Sequence, residues 1–249
     1  MSTMPATQRP TSNGAISPDD PAAWRSQTRV FLQPIAAPSI LGLFGFAGAT
    51  FMVAANLAGW YGSATSDVYI FPFAAVFGGL AQFLAGMWGF RARDGIATAM
   101  HGMWGSFWIA FGILWALQAV GDLKLPAAAF PAFGYWFLVL AAITACGAAA
   151  AAFENLSLFS VLAVLAVGSA FAAVFFLTGI EGWKTAAGWV LLASSWLAAY
   201  TATAMMLEGA AGKVVLPLGH LAKRANIPGH HEHIPLQFTL GEPGVRQGQ

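Results

Sequence analysis

Six long apolar stretches run through this chain, and they constrain its fold more than any other feature. About twenty consecutive apolar residues are needed for one helix to cross the hydrocarbon core of a bilayer. Charged residues make up only 8% of the sequence, whereas a soluble domain carries about a quarter. The sequence therefore predicts an all-α, polytopic membrane protein with six transmembrane helices in each protomer.

Turn-rich breaks between the apolar stretches set the approximate boundaries of the spans. Pro38 suits the first turn of a helix, where its missing N–H has no partner to lose. The short break at Glu154 and Asn155 makes the fourth and fifth spans antiparallel neighbours. The predicted spans cover residues 38–60, 68–90, 95–120, 131–153, 156–179 and 185–207.

The spans form one membrane domain, with a tail at each end of the chain. We expect a disordered cytoplasmic N-tail over residues 1–36, a six-helix domain over 37–210 and a cytoplasmic C-tail over 211–249. The N-tail is polar and lacks the apolar core of a signal peptide. The C-tail contains His230, His231 and His233, but their spacing is not that of a metal site on a fixed scaffold. The sequence predicts no metal and no cofactor.

Positive charge is distributed unevenly across the predicted topology, and this distribution predicts the orientation. With six spans, the tails and the loop between the second and third spans lie on one side, and the opposite loops hold only Lys124 and Lys184. Cytoplasmic segments are enriched in Lys and Arg, so both termini should be cytoplasmic, in the inner or plasma membrane. The basic residues on that side are Arg9, Arg25, Arg29, Arg91, Arg93, Lys213, Lys223, Arg224 and Arg246.

The middle of each span lacks acidic and basic side chains. An intramembrane charge is costly and usually functional, so a solute path here must be lined by neutral polar and aromatic groups. Such a path suits a small solute with at most one charge. The polar candidates for lining it are Asn56, Gln82, His101 and Ser106.

Two of these candidates have structural alternatives that the sequence leaves open. His101 lies near the start of the third span, so it either has a structural or interfacial role or handles a proton or a substrate. Gln82 lies deep in the second span, where an unsatisfied amide is expensive. It either makes a helix–helix hydrogen bond or lines the path.

Four strings resemble the acetate uptake transporter family, also called the succinate–acetate permease family. Residues 41–46 read LGLFGF, and residues 77–86 read FGGLAQFLAG. Residues 104–108 read WGSFW, and residues 216–219 read LPLG. Their order and the six-span layout match the family over residues 37–219. The opening signature lacks the family's Asn and its second Pro.

The resemblance implies a hexamer in which each protomer has its own path, narrowed by Phe, Tyr and Leu side chains. Phe46 matches the family's Phe, and Trp104 takes the place of the Tyr. The Leu falls on the fifth span near Val167. The exchange of Tyr for Trp removes a hydroxyl and adds bulk at the constriction.

The resemblance implies a permease or channel for acetate and similar monocarboxylates, with proton coupling as an option. Export of ammonium or ammonia, and a sensor that does not transport, remain as alternatives. We expect no enzyme and no catalytic residue, because the spans contain no paired nucleophile and base. The net charge of +1 argues against a nucleic-acid partner, which needs a concentrated basic face. The expected partners are the bilayer, a small carboxylate and further copies of the chain.

Overall fold

The structure, a computed structural model, describes residues 35–62, 66–121 and 130–221. These ranges contain six spans that are long and apolar enough to cross a membrane, which confirms the predicted all-α fold. Residues 1–34 and 222–249 lie outside the described residues, as does the loop 122–129 with Lys124. The predicted disorder of the N-tail therefore stays a prediction, and the C-tail histidines His230, His231 and His233 also lie outside the described residues.

Seven α-helices and one π-helical segment make up the six spans. α2, the π-helical segment and α3 run on as the second span, and each other helix is a span of its own. The elements are α1 (Pro38–Leu57), α2 (Ser66–Phe73), the π-helical segment (Ala74–Ala81), α3 (Gln82–Ala92), α4 (Gly95–Ala119), α5 (Pro131–Ala151), α6 (Leu156–Thr178) and α7 (Glu181–Ala211).

The π-helical segment in the second span was not predicted from the sequence. Pro72 lies inside α2, just before it, and a proline cannot donate to the carbonyl one turn back. π-Helical turns are rare and often lie near functional sites. Here the segment brings the Phe77 carbonyl against α1, where a Cβ on Gly45 would lie only 2.5 Å from its oxygen.

The spans are arranged as a ring around a central axis. α5, α6, α7 and α1 pack on one another in that order, and the second span packs between α1 and α4. The seam between α4 and α5, which closes the ring, has the least extensive contact between neighbouring spans of the described chain. The centre of the ring is therefore enclosed by helices on all sides, with its loosest joint between α4 and α5.

Glycines allow the closest of these helix contacts. A Cβ on Gly86 would lie 2.6 Å from the Gly102 backbone nitrogen, and a Cβ on Gly105 would lie 2.5 Å from that of Phe83. Lipid offers no hydrophobic drive for helix association, so small residues that let backbones approach are the usual solution. Close packing of α3 on α4 thus depends on these glycines.

The sixth span is longer at both ends than predicted. α7 begins at Glu181, where an acidic side chain complements the positive end of the helix dipole, and Lys184 pairs with it at 3.2 Å. Its last residue is Ala211, and Gly212 follows as the C-cap. The φ of 65° at Gly212 is the left-handed conformation typical of a glycine that ends a helix. The apolar pattern alone missed these polar first and last turns.

The segment after α7 folds back onto the turn between α5 and α6. The Leu156 amide donates to the Gly219 carbonyl at 2.7 Å, and the Ser157 amide donates to the Leu218 carbonyl at 3.0 Å. The Tyr200 hydroxyl donates to the Pro217 carbonyl at 2.8 Å. The string at residues 216–219 is therefore part of the packed domain, although the predicted C-tail begins at residue 211.

We predict that Gly105→Ala lowers the thermal unfolding midpoint in detergent, because its Cβ would collide with the α3 backbone. Overpacking of this kind costs about 1–3 kcal/mol. Gly209→Ala is the matched control, since a Cβ there would have no neighbour within 4 Å. Removing a helical glycine at an open position should leave the midpoint unchanged or raise it. Equal midpoints for the two variants would contradict this account of the α3–α4 contact.

Candidate functional site

Two cavities lie end to end inside the ring of helices. We call the end of the bundle that holds Pro38 and Ala211 the terminal face, and the opposite end the distal face. The terminal cavity, nearer the terminal face, has a volume of about 30 Å³. The distal cavity has a volume of about 500 Å³. The first has room for about two water molecules, whereas the second is large enough for a small organic solute.

The terminal cavity is lined mainly by apolar side chains, with four polar residues among them. Ser39 and Asp94, from the first turn of α1 and the N-cap of α4, line it together with His101 and Gln82. The Asp94 carboxylate accepts a hydrogen bond from the Ala97 amide at 2.8 Å, which caps α4. The terminal cavity is therefore narrow and mostly apolar, with a few polar groups in its wall.

His101 is buried in the wall of the terminal cavity, not exposed at the membrane surface. Its imidazole packs directly on Gly42 of α1, where an added Cβ would lie 2.6 Å from three ring atoms. Gly42, the first glycine of the string at residues 41–46, thus makes room for this ring. His101 is therefore not interfacial; it both packs on α1 and borders the terminal cavity.

Gln82 also lines the terminal cavity, and it is almost fully buried. It is the first residue of α3, directly after the π-helical segment. Its Oε1 atom has no hydrogen-bond partner among the described residues. A helix–helix hydrogen bond through this oxygen is therefore absent from the described part of the chain, and the oxygen remains available to a solute or a water.

Phe46, Trp104 and Leu165 separate the two cavities, and we call these three side chains the constriction. Trp104 and Leu165 line both cavities, and Phe46 lines the terminal one. The rings of Phe46 and Trp104 meet edge to face, with centroids 6.3 Å apart. All three side chains are buried. The resemblance thus led to two side chains that the structure brings together.

Val167 does not lie with Phe46 and Trp104, contrary to the expectation from the resemblance. It is 47% exposed on the outer surface of α6, and neither cavity is lined by it. Two residues along an α-helix correspond to a rotation of about 200°, so Leu165 points inward where Val167 points outward. The constriction residue from α6 is Leu165.

Ser106 likewise lies outside both cavities. It is exposed, and its hydroxyl donates to the Gly102 carbonyl of its own helix at 2.7 Å. Asn56 does line the distal cavity, and its side-chain amide donates to the Tyr61 carbonyl at 3.2 Å. Of the polar candidates, the structure therefore places three on the cavities and turns Ser106 away.

Aromatic rings form most of the wall of the distal cavity. Phe107 of α4 contacts Phe137 of α5 edge to face, with centroids 5.4 Å apart, and Phe133 also packs on Phe107. Phe176 of α6 stacks on Phe137, with centroids 5.6 Å apart. These rings fill the seam between α4 and α5 and give the cavity an apolar lining.

The distal cavity also contains polar groups that sequence reasoning did not assign to a site. Thr50 Oγ1, Trp108 Nε1 and Trp115 Nε1 are buried and lack a hydrogen-bond partner among the described residues, and their side chains line this cavity. Lys184 lines it too, with its ammonium 5.7 Å from the Phe175 ring centroid. In the sequence, Lys184 bears only on the orientation of the chain in the membrane, because nothing there indicates which residues face the central axis of the bundle.

A buried hydrogen bond fixes Trp104 to the neighbouring span. Its Nε1 donates to the Thr144 hydroxyl of α5 at 3.1 Å, and Thr144 has no exposed surface. The indole N–H is thereby satisfied within the protein. Trp104 therefore contributes only the apolar face and edge of its ring to the constriction.

Glu154 lies at the terminal face, outside the spans, in the turn between α5 and α6. Its backbone carbonyl accepts from the Leu221 amide at 3.1 Å. Burial, and to a lesser degree the carboxylate of Asp94, raise the pKa of Glu154 to about 7. Two acidic groups therefore influence each other next to the terminal cavity.

The profile of the GPR1/FUN34/yaaH family matches residues 23–223. The chain is 27% identical over 190 residues to the succinate-acetate/proton symporter SatP of Escherichia coli (strain K12), covering 74% of this chain and 96% of that protein. The same values hold for SatP of Shigella flexneri. Among solved structures, the bacterial acetate channel SatP matches with a TM-score of 0.69 and 24% identity, over 74% of this chain and 99% of that one. The last match supports the fold.

The raised pKa of Glu154 predicts how stability depends on pH. A carboxyl whose pKa is higher in the folded state than its ordinary value of 4.5 contributes stability that is fully present below about pH 4.5 and is lost as the pH rises through about 7. Glu154→Gln should therefore raise the thermal unfolding midpoint at pH 8 relative to the unmodified protein. The two proteins should unfold together near pH 4.5, and an equal difference at both pH values would contradict this origin.

Proposed function

Because this chain belongs to the GPR1/FUN34/yaaH family, we propose that it is a membrane permease or channel for acetate and related small monocarboxylates. The observation that carries the proposal is the pair of cavities inside one ring of spans, separated by Phe46, Trp104 and Leu165. The names of its relatives, a succinate-acetate/proton symporter and an acetate channel, support the same substrate class. Those names also support transport over catalysis.

A permease must compensate a carboxylate for the water that it loses, because an unpaired charge in a low-dielectric interior is very costly. Trp108, Trp115 and Thr50 belong to the wall of the distal cavity and carry two indole N–H groups and a hydroxyl that are buried and without partners among the described residues. A carboxylate in the cavity would reach these groups once the side chains turn toward it. Lys184 places a further N–H donor group on this cavity, although its charge is paired with that of Glu181. The aromatic wall accommodates the methyl end of the acid. This combination suits a small amphipathic anion better than ammonium.

The constriction determines which form of the acid passes most easily. Its three side chains offer apolar surface, since the Trp104 N–H is occupied by Thr144. An apolar narrowing favours a solute with little charge over a hydrated inorganic ion. We propose that the acid crosses this point as the neutral species or with a proton supplied next to it. His101, in the terminal cavity beside the constriction, is the proposed proton carrier.

Assembly and orientation are further parts of the proposal. Both cavities lie within one protomer, in keeping with a homohexamer in which each protomer has its own path, as the family resemblance implies. Arg91, Arg93 and Lys213 lie toward the terminal face and Lys184 toward the distal one. By the positive-inside rule the terminal face is then cytoplasmic, with both termini on that side of the inner or plasma membrane.

The test is uptake of labelled acetate into proteoliposomes, with a pH gradient and a membrane potential imposed separately. Empty liposomes measure the leak of acetic acid. Saturable uptake that excess unlabelled acetate blocks supports the proposal, and dependence on the pH gradient supports proton coupling. Uptake no greater than the leak, together with saturable flux of labelled methylammonium, would replace the carboxylate proposal with the ammonium one.

We predict that Phe46→Ala increases acetate flux or lowers selectivity against lactate, because it removes the α1 side of the constriction. A barrier lowered by about 1 kcal/mol corresponds to about a fivefold change in rate. Val167→Ala is the matched control: it also shortens a side chain of the spans, but on the outer surface. If Phe46→Ala and Val167→Ala both transport like the unmodified protein, Phe46 is not part of the gate.

A further inference from the structure

Trp104 is held at the constriction by contacts of two kinds. Phe46 of α1 and Phe107 of α4 meet its ring edge to face, with centroids 6.3 and 5.3 Å away. Thr144 of α5 accepts its N–H at 3.1 Å. The aromatic contacts limit where the ring lies, but an edge-to-face contact is broad in geometry. The hydrogen bond is directional and selects one orientation of the indole.

The position of this hydrogen bond gives it more weight than its strength alone. It crosses the seam between α4 and α5, where backbone contact is least extensive among neighbouring spans of the described chain. Trp104 also lines the distal cavity of about 500 Å³, which gives the ring space to reorient once it is released. Thr144 is a good anchor because its side chain is fully buried and β-branched, with a restricted χ1 in a helix.

We propose that Thr144 is a positioning residue that holds the Trp104 indole across the constriction and thereby sets the size selectivity of the path. The inference rests on the proposed transport function. Thr144 itself lines neither cavity, so it acts through Trp104 and not on the solute. The indole is a donor only, and Thr144 of α5 accepts its N–H; losing this acceptor is costly because a buried N–H without a partner is disfavoured.

Loss of the Thr144 hydroxyl should change selectivity more than it changes the fold. Without its acceptor, the indole no longer has one favoured orientation and can turn into the distal cavity, away from Phe46 and Leu165, which widens the passage between the two cavities. A wider passage helps a larger acid more than acetate. The expected signature is therefore an increased ratio of lactate to acetate uptake.

The test compares Thr144→Val, which removes the hydroxyl at nearly constant volume, with Thr144→Ser, which retains it. Each substitution is made in the unmodified chain and in a Trp104→Phe chain, where the ring has no N–H to donate. Uptake of labelled lactate and acetate is measured in proteoliposomes and corrected for the leak of empty liposomes. We expect Thr144→Val to raise the lactate-to-acetate ratio about fivefold, the factor set by one ordinary hydrogen bond.

Thr144→Ser should remain within about twofold of the unmodified ratio, since a serine hydroxyl is also an acceptor. In the Trp104→Phe chain, Thr144→Val should produce no further change. Equal ratios for the Val and Ser variants would overturn the inference. So would an effect of Thr144→Val that persists undiminished in the Trp104→Phe chain, because Thr144 would then act independently of Trp104.

A second readout separates failure of this inference from failure of the proposed function. Thermal unfolding of the unmodified protein, Thr144→Val, Trp104→Phe and the double variant in detergent measures the coupling between Trp104 and Thr144 without transport. If the unfolding midpoints show coupling but no protein shows saturable uptake, the hydrogen bond is supported and the proposed function is overturned. The role of Thr144 in selectivity then falls with the proposed function. Saturable uptake without coupling in either readout would overturn the role of Thr144 alone.

Discussion

The close approach of the second span to α1 and α4 is the contact on which the rest of the structure depends. Gly45 on α1 and Gly105 on α4 leave no room for a Cβ, because backbone atoms of the second span occupy that space. With the second span tight against both neighbours and α1, α7, α6 and α5 packed in sequence, contact at the closing seam between α4 and α5 is the least extensive. Side chains fill that seam: Phe rings in the distal half and the hydrogen bond between Trp104 and Thr144 nearer the terminal half.

The same arrangement explains how an apolar bundle can accommodate a polar solute. In a bilayer, polar groups must find partners inside the protein, and most of those described here do. Of the buried groups without partners among the described residues, those of Gln118 and Ser169 line neither cavity, whereas those of Thr50, Trp108 and Trp115 belong to the distal cavity and that of Gln82 to the terminal one. Both sets of groups flank the apolar constriction. A carboxylic acid moving between them would exchange one set of polar neighbours for the other across a short dry passage.

Sequence reasoning succeeded where length and composition carry the information and failed where the face of a helix matters. Apolar stretches were sufficient to find six spans, and matched strings were sufficient to find Phe46 and Trp104. Because these helices are apolar nearly all round, no periodic pattern separates the inward from the outward face. Ser106 was therefore expected to face inward. The third constriction residue was placed near Val167, two positions from Leu165. The π-helical segment and the Trp104–Thr144 hydrogen bond were also missed. Both depend on how the spans pack against one another, which the sequence does not display.

The most direct test of the account is chemical block of the constriction. Cys146 is an exposed cysteine and would be replaced by Ser, after which Leu165→Cys places one thiol where the two cavities meet. A small methanethiosulfonate reagent has space to enter the distal cavity of about 500 Å³. The account predicts that modification of this thiol abolishes saturable acetate uptake, whereas modification of Val167→Cys on the outer surface leaves uptake unchanged. Complete modification of Leu165→Cys with uptake retained would contradict a solute path through the constriction.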